Sequence, residues 1–442
     1  MNLSKKILGL MFVLLLAGCS DTWFGEKDTE KLEGKRISVM LYGKKLQADV
    51  KPEDLDIVLP APEVNSEWPQ SGGYSHNAMQ HLAVADNIKK MWKEDVGKGA
   101  DARNRLLSRP IVGDNKVFAM DVDAKVSAYD INSGKRFWQK KVLDPKRCKG
   151  ITLLGGGMAY NKNRVFVTTG VGLVSALNAN TGEILWEKSV GAPVRSAPTY
   201  YGGRIFVVNV DNKLVVLKAS DGSELWNYEV VSEATTLLGS AAPAVDEGAV
   251  IVSFTSGEVL AFRVDSGNLL WGDSVSSVRR TEATSNISDI VANPIIDRGT
   301  VYVIGNNNML AAIDLRSGVR IWEKEIGSVN QPWVAGDYLF LLSNNNELMA
   351  LDKENGKIQW ITALDVWEKP ESQKGRILWK GPILVSDRLL VAGSQGKVLA
   401  VSPYDGKILG FEKIPSGAAM APVVADGKIF FYTNEADLIE FK

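Results

Sequence analysis

Residues able to do chemistry are scarce in this chain. His76 and His81 are the only histidines, and Cys19 and Cys148 the only cysteines, in 442 residues. Metal centres and nucleophilic triads draw mainly on these two residue types. No C-x-x-C-H motif offers a haem attachment site. The chain therefore reads as non-enzymatic, with no catalytic residue, no metal site and no cofactor. Lys and Arg number 51 against 52 Asp and Glu, which gives no bulk positive charge for nucleic acid. Three tempting motifs read as structure. The "GGG" at 155–157 precedes a strand rather than the helix a phosphate loop needs. The "NNN" runs at 306–308 and 344–346 fall at hairpins, where Asn tolerates positive φ. The cations Lys140, Lys141, Lys146, Arg147 and Lys149 share one solvated link.

Cys19 is the exception. Lys5 and Lys6 precede an apolar run at 7–17, too short to span a bilayer, and the run ends in "LAGC". Small residues at Ala17 and Gly18 give a peptidase access to the backbone before the cysteine. The pattern resembles a bacterial lipoprotein signal; an ordinary secretory signal is the alternative. The expectation is a signal peptide over 1–18, a lipid on Cys19 and a charged tether over 19–62. Ser20 is not the aspartate associated with inner-membrane retention, so the expected location is the outer membrane, lipid-anchored and facing the periplasm.

The elements behind these residues repeat. "AYDINSGKRFW", "ALNANTGEILW", "VLKASDGSELW", "AFRVDSGNLLW", "AIDLRSGVRIW" and "ALDKENGKIQW" each place a strand, a polar turn ending in Gly, and a Trp four residues beyond that Gly. A seventh copy, "AVSPYDGKILGF", has Gly410 at the Trp position. The turn glycines recur about every 45 residues, the length of a four-stranded propeller blade. Two earlier strands complete each unit, the second nearly continuous in apolar residues, as expected where both faces of a sheet are covered. No helical periodicity separates them, which excludes an α/β fold. Eight third strands occur, the last "ADLIEF", but only seven fourth strands follow them. The missing one is "NIKKMWKEDVG", around Trp92. The predicted fold is all-β: an eight-bladed propeller over 63–442, closed by this N-terminal strand pairing with 437–441.

Turns within blades are short, whereas links from one blade to the next vary in length and share a face with the second-to-third-strand hairpins. Variable loops on a rigid scaffold usually carry binding. Two long links, 230–243 and 274–294, lie on neighbouring blades. Leu237 and Leu238 supply an apolar pair there, and Arg279, Arg280, Glu282 and Asp289 a polar rim, the anatomy of a protein interface.

The Gly-to-Trp unit resembles the repeat of quinoprotein-type (PQQ-like) propellers. Combined with the "LAGC" anchor, the chain resembles the propeller lipoproteins of the outer-membrane β-barrel assembly (BAM) machinery. The stretches "GKRISVMLYGKKL" and "WPQSGGYSHNAMQHL" are similar to their alphaproteobacterial form, and "DLRSGVRIWEKEIGSVN" to the family at large. The resemblance implies a scaffold that binds the periplasmic domains of the barrel-inserting subunit, BamA, and aids insertion of nascent outer-membrane proteins. It places the contact on the two links named above. A family leucine matches at Leu237, while the family arginine beside it falls at Leu238. One family acidic position matches at Asp289 and another falls at Val291, leaving Arg279, Arg280 and Glu282 to replace the missing charges. The rival readings are a quinoprotein dehydrogenase, whose adjacent cysteine pair is absent here, and a periplasmic propeller with another partner.

Overall fold

The computed structural model describes residues 46–101, 104–143, 155–231, 239–275, 289–306 and 309–442. From Gln47 onward the described chain forms one unit of eight four-stranded antiparallel sheets. Seven are built from consecutive strands. Blade 1 begins at Ile111–Gly113, blade 2 at Gly156–Asn161, blade 3 at Thr199–Tyr201 and blade 4 at Ala244–Asp246. Blades 5, 6 and 7 begin at Ile295–Asp297, Trp333–Ala335 and Trp379–Val385. First strands of blades 1 to 5 touch in succession, as do those of blades 6 and 7, around the axis. Second and third strands are buried on both faces, as Arg164–Thr169 and Leu173–Asn178 illustrate. Fourth strands such as Arg136–Lys141 form the exposed perimeter.

Blade 8 contains Val423–Ala425, Lys428–Tyr432 and Asp437–Phe441, and its fourth strand is Lys90–Asp95. Trp92 stands opposite Glu440, and Asp95 opposite Asp437. The expected closure is therefore observed. It covers the outer edge of Asp437–Phe441, which would otherwise be open to pair with another chain.

What holds one blade to the next is a single repeated contact. Each turn glycine lies on the indole of the preceding blade: Gly182 on Trp138, Gly222 on Trp186, Gly267 on Trp226, Gly318 on Trp271, Gly356 on Trp322 and Gly406 on Trp360. Gly134 of blade 1 lies on Trp92 of blade 8. At Gly182 the φ is +71° and a Cβ would sit 2.5 Å from the Trp138 ring, so both backbone and space demand glycine. Six of the indoles also donate Nε1–H to a carbonyl of the next blade, as Trp360 does to Pro403 at 2.9 Å and Trp271 to Leu315 at 2.8 Å. Trp92 docks on its glycine without that bond.

The stack also accounts for Gly410. It lies on the fourth strand of blade 7, and the neighbour it would dock on is blade 8. Blade 8 takes its fourth strand from the N-terminal side, so it has no third-to-fourth-strand turn and no turn glycine. An indole on blade 7 would have nothing to stack on.

The seam has a second peculiarity. In five of the other blades the Trp pairs with a small alanine, as Trp186 does with Ala176. At the seam Trp92 pairs with Glu440, which is buried and whose Oε2 lacks a hydrogen-bond partner. Burial pushes its carboxyl up to about 7, against the partial opposition of Lys428 and Lys442.

Two expectations follow. Trp360→Ala removes a buried indole and should cost about 3–5 kcal/mol in denaturant unfolding. Glu440 holds its proton more tightly folded than unfolded, so it should erode stability as pH rises from about 4.5 to about 7. Glu440→Gln should match the wild type in melting temperature below that window and exceed it above. Parallel melting curves across the whole window would contradict the assignment.

Candidate functional site

Residues 65–82, before the closing strand, belong to no blade. They lie across the axis and hydrogen-bond to the first strand, or its adjoining turn, in all eight blades. The segment starts at blade 8, where Asn65 Nδ2 donates to Val424 O at 2.6 Å and Asp426 N to Asn65 O at 2.7 Å. Trp68 exchanges two main-chain bonds with Val112 of blade 1, and Tyr160 N of blade 2 donates to Pro69 O. The Gln70 amide pairs with both main-chain groups of Tyr200 in blade 3. Val245 N of blade 4 donates to Ser75 O, and Ile296 N of blade 5 to His76 O. Trp333 Nε1 of blade 6 donates to Gln80 O at 2.8 Å. Leu82 N donates to Leu384 O in blade 7, and Ser386 N to Leu82 O.

The physical reason is the edge problem. A ring of blades turns the unpaired edge of each first strand toward the axis, and buried main-chain groups need partners. This plug supplies them. Trp68 is fully buried, bonded to blade 1 and stacked on Trp333 of blade 6 at 6.1 Å between ring centroids. The irregular path needs left-handed residues: Gly73 at φ +99°, Asn77 at +61° and Gln80 at +57°.

The plug also engages the two histidines. His81 is 2% exposed. Its Nδ1 lies 2.7 Å from Pro60 O, and its Nε2 accepts from Asp387 N at 3.1 Å. His76 Nδ1 accepts from Ala78 N, and burial holds its pKa below the usual value against the pull of Asp246 and Asp297. Neighbouring Gln80 bonds Asp297, which pairs with buried Lys353 at 2.8 Å. Upstream, residues 49–60 form no blade strand yet pack on blades 5 and 6. Asp49 binds Lys324 and Ile358, and Tyr338 Oη donates to Asp56 O.

The plug sits at the end of the axis where first-to-second-strand turns gather, including those at Asp114, Gly336 and Asp426. Two open clefts of about 630 and 550 Å³ lie on this turn face between blades 1, 2 and 3 and share Asn161, Lys162, Tyr200 and Gly202. The blade-to-blade links occupy the opposite face. Of the residues singled out there, Leu237, Leu238, Arg279, Arg280 and Glu282 lie outside the described residues, as does Cys19. Asp289 is described and is 1% exposed, with its carbonyl accepting from Asn306 N at 3.1 Å. That burial corrects its expected place on an exposed rim. The two links do meet at their roots: Ala242 N donates to Asn293 Oδ1 at 2.8 Å, and a Cβ on Gly239 would touch Val291.

Sequence reasoning missed the plug because its residues carry no strand period. The available signal was negative: between Trp68 and Leu82 the segment gathers two glycines, both histidines and polar chain without alternation. Trp68→Ala should cost about 3–5 kcal/mol and speed hydrogen exchange at Val112 and Ile296, inner-strand amides bonded to the plug. An effect confined to blade 1 would mean that the plug does not act as one piece.

The comparisons with known proteins bear on this architecture. A family model described as outer membrane protein assembly factor BamB matches residues 74–155 and 122–362. The assembly factor BamB of Yersinia pestis is 28% identical over all of both chains. That of Escherichia coli K12 is 28% identical over 78% of this chain and 86% of its own. Among solved structures, BamB from Moraxella catarrhalis superposes with a TM-score of 0.69 at 16% identity, covering 80% of this chain and all of that one. A quinohemoprotein alcohol dehydrogenase from Comamonas testosteroni gives 0.66 at 12% identity, covering 85% of this chain and 80% of its own. These structural likenesses speak for the propeller fold, which the two kinds of protein share. Among the described residues no helix is long and apolar enough to cross a membrane. The family model spans well over half of the chain, and the protein belongs to the outer membrane protein assembly factor BamB family.

Proposed function

We propose that this protein is a non-enzymatic scaffold of the outer-membrane assembly machinery. It docks the periplasmic domains of a BamA-like barrel-inserting subunit on its link face and aids insertion of nascent β-barrel proteins. A lipid on Cys19 holds it at the periplasmic side of the outer membrane. The observation that carries the reading is family membership over residues 74–362, joined to a ring whose two long links are rooted side by side through Ala242, Asn293, Gly239 and Val291. An interface needs a rigid base under its variable loops, and the blades beneath these links supply one. Leu237 and Leu238 are the proposed apolar anchor, with Arg279, Arg280 and Glu282 around it; Asp289 serves beneath the link.

Leu237→Asp with Leu238→Asp tests this. An anchor worth about 2 kcal/mol or more corresponds to a loss of roughly 30-fold in affinity, so co-purification with the barrel-inserting subunit should fail while the melting temperature holds. Lys162→Glu on the turn face is the control. Retained binding in the leucine variant, with loss in the control, would move the interface to the turn face.

A further inference from the structure

The position just before the inner-strand proline differs from blade to blade. Blades 5 and 6 carry the amides Asn293 and Gln331 there, ahead of Pro294 and Pro332. Both amides are satisfied by neutral partners: Asn293 Nδ2 donates to Gln331 Oε1 at 3.1 Å, and Gln331 Nε2 donates to the plug at Asn77 O at 3.0 Å. Blade 1 carries a cation there, Arg109 ahead of Pro110, and blade 7 carries one a residue earlier, Lys380, with Gly381 directly ahead of Pro382. Blade 8, between them, presents Ala419, Met420 and Ala421 in this region and no charge.

Arg109 and Lys380 are both half-buried. First strands run from the link face to the turn face, so both cations lie toward the link-face end, beyond the plug. The guanidinium of Arg109 donates to Ser71 O at 3.2 Å, in the tight turn where Gln70 and Gly73 exchange main-chain bonds at 2.9 Å. The Lys380 side chain makes neither a hydrogen bond nor an ion pair among the described residues, and Arg109 makes no ion pair there. Burial pushes the Arg109 guanidinium down to about 10. Burial, and then the charge of Arg109, pushes the Lys380 ammonium down.

Two partly buried like charges that oppose each other, with no ion pair among the described residues, form a costly arrangement. If the positions served packing alone, amides like those of blades 5 and 6 would serve without that cost. A guanidinium fork and an ammonium on the same end of the axis are instead suited to receive an oxyanion through charge-assisted hydrogen bonds. We infer that Arg109 and Lys380 form an oxyanion site on the propeller axis, taking one carboxylate or phosphate group from the link face. The plug closes the other approach and, through Ser71, fixes the guanidinium. The site is separate from the link residues proposed to dock a partner subunit, and its test does not depend on them.

Thermal unfolding of the full chain in sodium phosphate, sodium acetate and sodium chloride at equal ionic strength tests the inference, with calorimetric titration of phosphate and acetate. A saturable rise in melting temperature over chloride is expected. Response to phosphate alone assigns a phosphate group, and response to acetate alone a carboxylate. The double variant Arg109→Gln, Lys380→Gln should lose at least tenfold in anion affinity and, relieved of repulsion, melt higher than the wild type without anion. Lys380→Arg should keep the response. Should the double variant fail to fold, Lys380→Gln against Lys380→Arg carries the test, since the Lys380 side chain has no hydrogen bond to lose. An equal response in wild type and Lys380→Gln, or no saturable response to either anion, would overturn the inference.

Discussion

The docking of an indole on a glycine turn of the next blade is the contact on which this ring depends. It is made seven times, and in six of them three requirements meet at one point. The turn needs positive φ, the indole needs a flat surface without a Cβ, and its N–H needs a carbonyl in the neighbouring blade. Because the contact always points from one blade to the following one, it also gives the ring a direction. The direction explains the places where the pattern fails. Gly410 replaces tryptophan on the one blade whose successor has no third-to-fourth-strand turn. Trp92 forms the seventh stack across the seam, without the hydrogen bond made by the other six.

Closure of the ring creates a second constraint at its centre. Eight first strands turn their free edges toward the axis, where main-chain groups are enclosed. The plug answers with main-chain and amide groups at each blade in turn, and its own departures from regular structure follow from that task. A regular strand could satisfy one edge; a segment that visits eight must bend repeatedly, hence Gly73, Asn77 and Gln80 in the left-handed region. The histidines, the first place to look for chemistry, serve in this segment as hydrogen-bonding groups. His81 links Pro60 to Asp387, and His76 braces the turn at Ala78.

The two ends of the axis differ as a result. The turn face is crossed by the chain's own N-terminal portion, from Asp49 on blades 5 and 6 to Leu82 on blade 7. The link face carries the variable loops and the two axial cations. A scaffold with one face committed to its own chain keeps the other for partners, which is the arrangement the proposed function uses.

The sequence by itself determined the blade count, the strand order and the closing strand, because these rest on local signals. A glycine turn, an apolar strand and a tryptophan at fixed spacing are read within one repeat, and a count of third against fourth strands needs no coordinates. It also marked Gly410 as an exception, though the cause is a contact with the next blade. Tertiary structure alone decided the plug, since residues 65–82 owe their path to partners as much as 359 positions away and carry no period of their own. It alone placed Asp289 inside, where charge and loop position had suggested a rim. It alone brought Glu440 under Trp92 and set Arg109 where its charge acts on Lys380, because burial and proximity belong to the closed ring and to no single repeat.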